Sequence, residues 1–232
     1  MQKKNAVILL SGGLDSATVA AIAMHEGFSL SALTFNYNQN HAIELQWAKK
    51  LVTFFNINQH IIIDIPSEIF RTALVKNSDL EIAKSASIDQ ISDDKIPDTY
   101  VPARNILFLS YALGLAESIN AFDIFIGANA VDYSGYPDCR PEFFDAFSNM
   151  ANIGTKAGIS GDTFTIHTPL ITLKKSEIIK TGVSLGVDYS LTHSCYDPDE
   201  QGISCGLCDS CLFRKHGFDE AGIKDPTLYR KV

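Results

Sequence analysis

A glycine-rich turn near the start of the chain has the residue types of a phosphate-binding site. The apolar run 6–10 leads into the hexapeptide SGGLDS (11–16), and small apolar residues follow at helical spacing. Amides at the start of a helix are unpaired and partly positive, and glycines let an anion come close to them. The pattern favours a diphosphate held by neutral donors, because the lysine of the common P-loop is missing. A tight turn without a ligand would fit the same residues.

Four cysteines near the C-terminus have the spacing of a metal site. Nine residues lie between Cys195 and Cys205, and Cys208 and Cys211 follow at intervals of three. Four thiolates suit tetrahedral Zn²⁺, and four protein ligands leave no position open for water or substrate, so we expect a structural zinc site. An iron–sulfur cluster could use the same spacing, but the nearby fourth ligand and the polar surroundings favour zinc.

Other residues of this region bear on the chemistry of the cysteines. Arg214 and Lys215 are close enough in sequence to offset part of the negative charge of a site with four thiolates. The fifth cysteine, Cys139, lies far from the others in sequence, and nothing near it would activate its thiol. We therefore expect Cys139 to be a buried or half-buried neutral thiol.

The elements that must position these residues follow an alternating pattern. Short apolar runs typical of buried parallel strands alternate with segments that carry apolar residues at helical spacing. This order predicts an α/β fold with a doubly wound, mostly parallel five-stranded sheet. Four of the five strands are predicted at 6–10, 29–35, 60–65 and 123–128, and the predicted helices span 15–26, 43–55, 104–119, 141–157 and 174–185.

The chain is expected to form two units. An α/β domain covers 1–190, and residues 191–232 form a small zinc-binding extension packed on it, because that segment lacks the apolar residues for a core of its own. The polar segment 76–100 breaks the alternation of strands and helices. Long loops of this kind are commonly functional, and we interpret this one as a candidate lid over an active site.

Composition and charge argue against several classes of protein. Of the 232 residues, 46% are hydrophobic and 20% are charged, which is ordinary for a globular protein. No apolar stretch approaches the roughly 20 residues of a membrane span, and the run after Lys4 is too short for a secretory signal, so we expect a cytoplasmic protein. The net charge of −8 argues against binding of nucleic acid and favours small-molecule substrates.

Two further strings place polar residues where the ligands of such sheets bind. TYVPARNILFL (99–109) sets Arg104 at the start of a predicted helix, and GANAVDYSGYPDCRPEF (127–143) follows the fourth strand. Ligands of open parallel sheets bind beyond the carboxyl ends of the strands. The second string carries the candidate substrate-binding residues Asp132, Ser134, Tyr136 and Asp138.

These motifs together resemble a known family. SGGLDS after the first strand is similar to the signature of the PP-loop ATP pyrophosphatases, and SGYPDCR with the cysteine spacing resembles the 7-cyano-7-deazaguanine synthase family of the queuosine pathway. The resemblance runs from Ala6 to about Tyr229 and is weakest over 76–96. The chain departs from the family pattern at Ala103, where glycine is common, and at Asn36, Asn38 and Asn40.

The resemblance implies a reaction, its cofactors and an assembly. The family converts 7-carboxy-7-deazaguanine and ammonia to the nitrile with two ATP, each time transferring adenylate and releasing pyrophosphate. A carboxylate is a poor electrophile, and adenylation gives it a good leaving group. Such steps depend on positioning and on neutralisation of phosphate charge, to which Mg²⁺ contributes. One structural zinc and a homodimer are implied as well.

The resemblance also assigns roles to residues. Lys175, with Lys174 beside it, would supply the positive charge that the loop lacks, although both could simply be solvated at a helix start. Arg104 would neutralise a phosphate or the substrate carboxylate, and Asp132 would read the edge of the deazaguanine together with the loop that follows it. The residues implied to bind ATP and its metal are Leu10, Ser11, Gly12, Gly13, Leu14, Asp15, Ser16, Gln39 and His41.

Three other functions fit parts of the sequence. A PP-loop tRNA thiolase would need a basic RNA-binding surface, which the acidic composition does not favour. An amide synthetase fed by glutamine would need a glutaminase domain, for which the chain has no room, so free ammonia is the simpler nitrogen source. A zinc-ribbon binding module would release no AMP from ATP, which an assay of ATP-dependent AMP release would detect.

Overall fold

The computed structural model describes residues 3–37, 43–75, 78–85, 87–88, 91, 96–131 and 136–231. Strands and helices alternate through most of this part of the chain. The strands are β1 (Lys4–Leu9), β2 (Phe28–Asn36), β3 (Gln59–Asp64), β4 (Asp123–Phe125) and β5 (Thr165–His167). The helices are α1 (Leu14–His25), α2 (Ile43–Phe54), α3 (Arg104–Ser118), α4 (Pro141–Gly154), α5 (Lys156–Ile159), α6 (Lys175–Ser184) and α7 (Asp209–Ala221).

The five strands form one sheet in the order β3-β2-β1-β4-β5. Every pair of neighbouring strands is parallel. The chain moves outward from β1 in both directions, so the predicted doubly wound α/β fold with a parallel five-stranded sheet is confirmed. Because β1 lies in the middle, the carboxyl ends of β1, β2 and β4 meet at one edge, where the glycine-rich turn begins.

Two apolar layers cover the faces of the sheet. Alternate residues of a strand point to opposite faces, and β1 follows this rule. Val7 and Leu9 belong to a cluster with α3 and α4, while Ala6 and Ile8 belong to a cluster with α1 and α6. The continuous apolar run predicted as a strand therefore supplies both layers, as is typical of a central parallel strand.

The C-terminal helix joins the second of these layers. Phe218 of α7 is buried in the same cluster as Leu14 of α1 and Ile178 of α6. α7 thus shares apolar packing with the α/β part, while the four clustered cysteines form a small buried cluster of their own with Tyr196, Leu207 and Tyr229. The division of the chain at residue 190 stays a prediction.

One predicted helix is divided in the structure. The sequence predicts a single helix over 141–157, but α4 ends at Gly154 and α5 begins at Lys156. Thr155 lies between them in an extended conformation, and its side chain accepts a hydrogen bond from the amide of Gly158 (3.1 Å). A threonine used in this way starts a new helical turn, which explains the break. None of the helices in the described part of the chain is both long and apolar enough to cross a bilayer.

Candidate active site and metal centre

A cavity of about 220 Å³ opens at the edge of the sheet where β1, β2 and β4 end. Residues from these strand ends, from the starts of α1 and α3, and from the segment before and within the cysteine region form its wall. Beyond the carboxyl ends of parallel strands is where ligands of such folds bind. The polar part of the wall includes Ser11, Asp15, Ser16, Arg104, Asn129 and Ser210.

The glycine-rich turn is held in place by contacts that only glycine permits. Gly12 has a φ of +89°, and a Cβ there would lie 2.8 Å from the backbone nitrogen of Ala48 and from the carbonyl oxygen of Glu44. The amide of His193 donates a hydrogen bond to the Gly12 carbonyl oxygen (2.9 Å). The turn is therefore fixed between α2 and the segment that leads to Cys195.

The start of α1 offers donors toward the cavity. Gly13 is the N-cap of α1 and carries no side chain that could satisfy the first amides of the helix. The hydroxyl of Ser16 donates to the Gly13 carbonyl oxygen (3.0 Å), and the hydroxyl of Ser11 donates to that of Ser16 (3.2 Å). Two hydroxyls and a helix start thus lie together, which is an arrangement suited to an anion.

Lys175 reaches this turn from another element. Its ammonium group donates to both carboxylate oxygens of Asp15, at 2.8 and 2.9 Å. Only 8% of the Lys175 side chain is exposed, whereas the neighbouring Lys174 is exposed to solvent. Lys175 is the first residue of α6, and its positive charge lies beside the first turn of α1.

The turn before Lys175 is tied to the end of β4. The side-chain amide of Asn129 donates to the carbonyl oxygens of Leu170 (2.9 Å) and Leu173 (2.6 Å). Glu177 accepts a hydrogen bond from the amide of Lys174 (2.8 Å), which fixes the start of α6. These bonds set the backbone from which Lys175 extends.

Arg104 lines a second part of the cavity, at the start of α3. The residue before it, Ala103, has a left-handed φ of 55°, a conformation that glycine adopts more easily. Burial opposes the positive charge, but the electrostatic effect of Tyr37, Cys139 and further neighbours outweighs it, so the pKa of Arg104 is raised. A fixed cation therefore lies in the wall of the cavity.

Aromatic rings surround the same part of the cavity. Phe108 of α3 stacks on Phe35 of β2, with ring centroids 3.9 Å apart. Tyr136 is buried, and its hydroxyl shares a hydrogen bond with that of Thr99 (2.8 Å). Phe35, Phe108 and Tyr136 all line the cavity, so a flat aromatic ligand would find planar partners there.

Asp138 and Cys139 fix the start of α3. A carboxylate oxygen of Asp138 accepts a hydrogen bond from the amide of Asn105 (3.1 Å), and the Asn105 side chain donates to the Asp138 carbonyl oxygen (2.7 Å). Cys139 is buried, as predicted, but it lies in the cavity wall near Arg104. Burial raises the pKa of the Cys139 thiol to about 11, and the thiol is therefore neutral near pH 7.

The four C-terminal cysteines form a cluster that could hold a metal ion. Cys195, Cys205, Cys208 and Cys211 are all buried, and their sulfur atoms lie within 4.8 Å of one another. Sulfurs bound at ~2.3 Å around a tetrahedral ion stand ~3.8 Å apart, and the sulfurs of Cys205 and Cys211 are 4.0 Å apart. This donor set therefore fits a tetrahedral ion such as Zn²⁺.

Backbone amides donate hydrogen bonds to two of these sulfur atoms. The amide of Cys205 donates to the sulfur of Cys195 (3.1 Å), and the amide of Cys208 donates to the sulfur of Cys205 (3.3 Å). Hydrogen bonds among the four thiols shift their pKa values in opposite directions, lowering those of Cys205 and Cys208 and raising those of Cys195 and Cys211. Thiolates are the form that binds metal.

The contacts of Arg214 and Lys215 differ in part from the expected role of offsetting the negative charge of the thiolates. Arg214 is ion-paired with Asp225 (3.1 Å), so its charge is taken up by a carboxylate rather than by the thiolates. Lys215 donates to the carbonyl oxygen of Gly206 (2.9 Å), within the cysteine loop. Lys84, which the sequence did not single out, pairs with Asp197 (2.8 Å) beside the cluster, and this hydrogen bond raises the pKa of Lys84.

Comparison with known proteins assigns the chain to a family. The family described as "Queuosine biosynthesis protein QueC" matches residues 5–222. The chain belongs to the QueC family. A curated relative from Myxococcus xanthus (strain DK1622), named 7-cyano-7-deazaguanine synthase, is 54% identical over 227 residues, which cover 97% of each chain. A relative of the same name from Geobacter sp. (strain M21) is 54% identical over 233 residues and covers 100% of each.

A solved structure of NMN synthetase from Francisella tularensis also aligns with this QueC-family chain. The TM-score is 0.48 and the identity is 20%, over 96% of this chain and 79% of that one. Similarity at this level carries no argument about function. Family membership therefore rests on the sequence matches.

The structure brings many of the predicted site residues of this QueC-family chain into one cavity. Those that line it are Leu10, Ser11, Gly13, Leu14, Asp15, Ser16, Arg104 and Tyr136. Two others contact residues of the wall: Gly12 accepts a hydrogen bond from His193, and Lys175 pairs with Asp15. Asp138 accepts a hydrogen bond from the second residue of α3. The predicted residues Gln39, His41, Asp132 and Ser134 lie outside the described part of the chain. The roles of all of these residues stay predictions.

Sequence reasoning missed several residues of the cavity wall. Asn129 lies inside the string GANAVD and His193 lies two residues before the first of the four clustered cysteines, so position alone could have marked them. Phe35 and Phe108 had no such signal, because an aromatic residue in a strand or a helix usually belongs to the core. Their meeting at the cavity follows from the tertiary packing of α3 on β2.

Proposed function

We propose that this chain is an ATP-dependent carbon–nitrogen ligase that converts 7-carboxy-7-deazaguanine and ammonia to 7-cyano-7-deazaguanine. The observation that carries the proposal is the pairing of Lys175 with Asp15 beside the glycine-rich turn, in a cavity that also holds Arg104. Membership of the QueC family, at 54% identity to relatives named 7-cyano-7-deazaguanine synthase, supports the choice of substrate.

The turn and α1 would hold the phosphates that leave as pyrophosphate. The amides at the α1 start and the hydroxyls of Ser11 and Ser16 would bind the β and γ phosphates. Lys175 would neutralise charge that develops as the bond between the α and β phosphates breaks. Asp15 would contribute a carboxylate oxygen to Mg²⁺, which would neutralise phosphate charge when bound.

The half of the cavity around Arg104 would hold the deazapurine acid. Arg104 would pair with the carboxylate, and Phe108 and Tyr136 would contact the flat ring. An acid oxygen attacks the α phosphorus, giving the acyl adenylate and pyrophosphate. Ammonia then displaces AMP to give the amide, and adenylation of the amide oxygen allows loss of AMP with formation of the nitrile. Two ATP are consumed per product.

The four cysteines would hold one Zn²⁺ with a structural role. Their buried sulfurs fit a tetrahedral ion, and four protein ligands leave no open position for catalysis. We also propose that the protein acts in the cytoplasm as a homodimer, on small molecules and without nucleic acid. These three points rest on the resemblance to the family, the composition and the net charge of −8.

The position at which ATP is split tests the proposal. The purified protein with Zn²⁺, Mg²⁺, the 7-carboxy compound and ammonium should release AMP and pyrophosphate from ATP labelled at the α and γ phosphorus. Release should depend on the acid, because the acid oxygen is the nucleophile. Formation of ADP and phosphate, or release of AMP at the same rate without the acid, would contradict the proposal.

A further inference from the structure

Gly217 is an unusual residue for its place in the fold. It lies inside α7, on the buried face of that helix with Arg214 and Phe218. A glycine inside a helix is destabilising relative to alanine because the chain loses more freedom on folding. A buried helical glycine therefore calls for a packing reason.

Lys175 supplies that reason. A Cβ at position 217 would lie 2.4 Å from Cγ and 2.8 Å from Cβ of Lys175, and 3.0 Å from Cδ1 of Ile179. Cβ and Cγ are the first atoms of the lysine side chain, so they cannot move away without turning the whole side chain or separating α6 from α7. The aliphatic stem of Lys175 thus rests directly on the backbone of α7.

We propose that Gly217 is a positioning residue for Lys175, and that the cysteine-bearing extension thereby aims the ammonium group at the phosphate site. The inference rests on the proposed function of Lys175. With the stem held on Gly217, the ammonium group lies 2.8 Å from Asp15 at the first turn of α1. A displacement of about 1 Å at a reacting centre can cost about 100-fold in rate.

The helix that carries Gly217 is itself fixed at its start. Cys208 is the N-cap of α7, and Cys211 lies in its first turn, so two of the four clustered thiols belong to this helix. Arg214, one turn before Gly217, is buried and bonded to Asp225 and to Thr192. The cluster, α7 and Lys175 are therefore connected through direct contacts.

The main test is the substitution Gly217→Ala, with Gly114→Ala as the control. Gly114 also lies inside a helix, α3, but a Cβ there would meet nothing within 4 Å. For Gly217→Ala we expect AMP formation in a single turnover to fall about 100-fold, with ATP affinity within about threefold of the parent and metal content unchanged. Gly114→Ala should keep the parent's rate. An unchanged rate in Gly217→Ala, or equal losses of rate, ATP affinity and metal, would overturn the proposal.

If Gly217→Ala does not fold, a second variant tests whether the damage comes from collision with the Lys175 side chain. Lys175→Gly removes the two lysine atoms that the new methyl group would meet and leaves only Cδ1 of Ile179, at 3.0 Å, among the three nearest atoms. In the background of Lys175→Gly, the substitution Gly217→Ala should therefore lower the melting temperature and the residual rate much less than it does in the parent protein. If Gly217→Ala lowers the melting temperature as much in the Lys175→Gly background as in the parent protein, the methyl group does not collide with the lysine stem, and the proposal is wrong.

Failure of this inference can be told from failure of the proposed function. The comparison of melting temperatures needs no substrate, so it tests the contact between positions 217 and 175 whatever the enzyme acts on. If the parent protein forms no AMP with the 7-carboxy compound, the proposed function fails. If the parent forms AMP and Gly217→Ala does so at the same rate, only the positioning role fails.

Discussion

At the scale of single residues, the central feature is a lysine that comes from a distant element. Lys175 and Asp15 are 160 positions apart in sequence, yet they form a nearly symmetric ion pair at 2.8 and 2.9 Å. Many phosphate-binding loops carry their lysine within the loop itself. Here the loop supplies neutral donors and a carboxylate, and α6 supplies the cation.

Replacement of Lys175 by methionine tests this arrangement. We expect Lys175→Met to lower the rate of pyrophosphate release about 100-fold or more, because a fixed positive charge near the developing phosphate charge is lost. ATP binding should weaken much less, since the amides and hydroxyls of the turn remain. The exposed neighbour gives a matched control, and Lys174→Met should release pyrophosphate within about twofold of the parent rate. Equal effects of the two substitutions would contradict the role of Lys175.

At the scale of elements, the turn between β1 and α1 depends on the conformation of Gly12. Its φ of +89° and the close backbone of α2 both exclude a side chain. Gly27 offers a comparison, because it has a similar φ of +92° but open space around it. Substitutions at these two positions can therefore separate the effect of backbone strain from the effect of steric collision.

The substitution Gly12→Ala should therefore be more damaging than Gly27→Ala. We expect Gly27→Ala to lower the free energy of unfolding by about 1–2 kcal/mol and to leave ATP binding unchanged. Gly12→Ala should destabilise the protein further and weaken ATP binding at least about tenfold, because α2 and the turn must separate. Chemical denaturation and titration with ATP measure both effects. Similar results for the two variants would show that the close contact with α2 is unimportant.

The cysteine cluster lies at the start of α7 and includes its N-cap residue, Cys208. Cys208→Ser should reduce bound zinc to well below one ion per chain and lower the melting temperature, since a structural metal contributes directly to folding. Cys139→Ser should keep the full metal content, because Cys139 lies outside the cluster. Elemental analysis of both purified variants checks this. Full zinc occupancy in Cys208→Ser would remove Cys208 from the ligand set.

Much of this arrangement could be predicted from sequence, and the reason differs between elements. Apolar runs marked β1 and β2 because buried parallel strands need apolar residues, and a similar run marked β3, although this edge strand has no fully buried residue. The spacing of the four C-terminal cysteines predicted that they form a cluster. The break after Gly154 was missed because the helical pattern of apolar residues continues beyond it, while the capping by Thr155 is a local backbone effect. The contact of Gly217 with Lys175 could not be foreseen, because it depends on how α7 packs on α6.

At the scale of the whole molecule, a buried ion pair lies within the C-terminal region, and its arginine also donates a hydrogen bond to the α/β part at Tyr189. Only 3% of the Arg214 side chain is exposed, and besides Asp225 it bonds the Thr192 hydroxyl (2.8 Å) and the Tyr189 carbonyl oxygen (3.1 Å). Removing one partner of a buried pair leaves an unpaired buried charge. The same change at an exposed pair should cost little.

We therefore expect Arg214→Met to be far more damaging than Arg71→Met. Arg214→Met should lower the free energy of unfolding by about 3–5 kcal/mol, because Asp225 stays behind without its partner. Arg71 pairs with Asp79 at the surface, where 77% and 70% of the two side chains are exposed, and its loss should cost less than about 1 kcal/mol. Denaturant unfolding of both variants measures the difference. Equal costs would mean that the C-terminal region is not held by this pair.

The most direct test of the whole account is mass spectrometry of the product formed by the purified protein. Incubation with ATP, Mg²⁺, ammonium and 7-carboxy-7-deazaguanine should convert the acid to 7-cyano-7-deazaguanine, with two AMP formed for each nitrile. The Lys175→Met variant should leave the acid unconverted over the same time. An acid that remains unchanged with the parent protein, or a nitrile formed without AMP, would contradict the adenylating site described here.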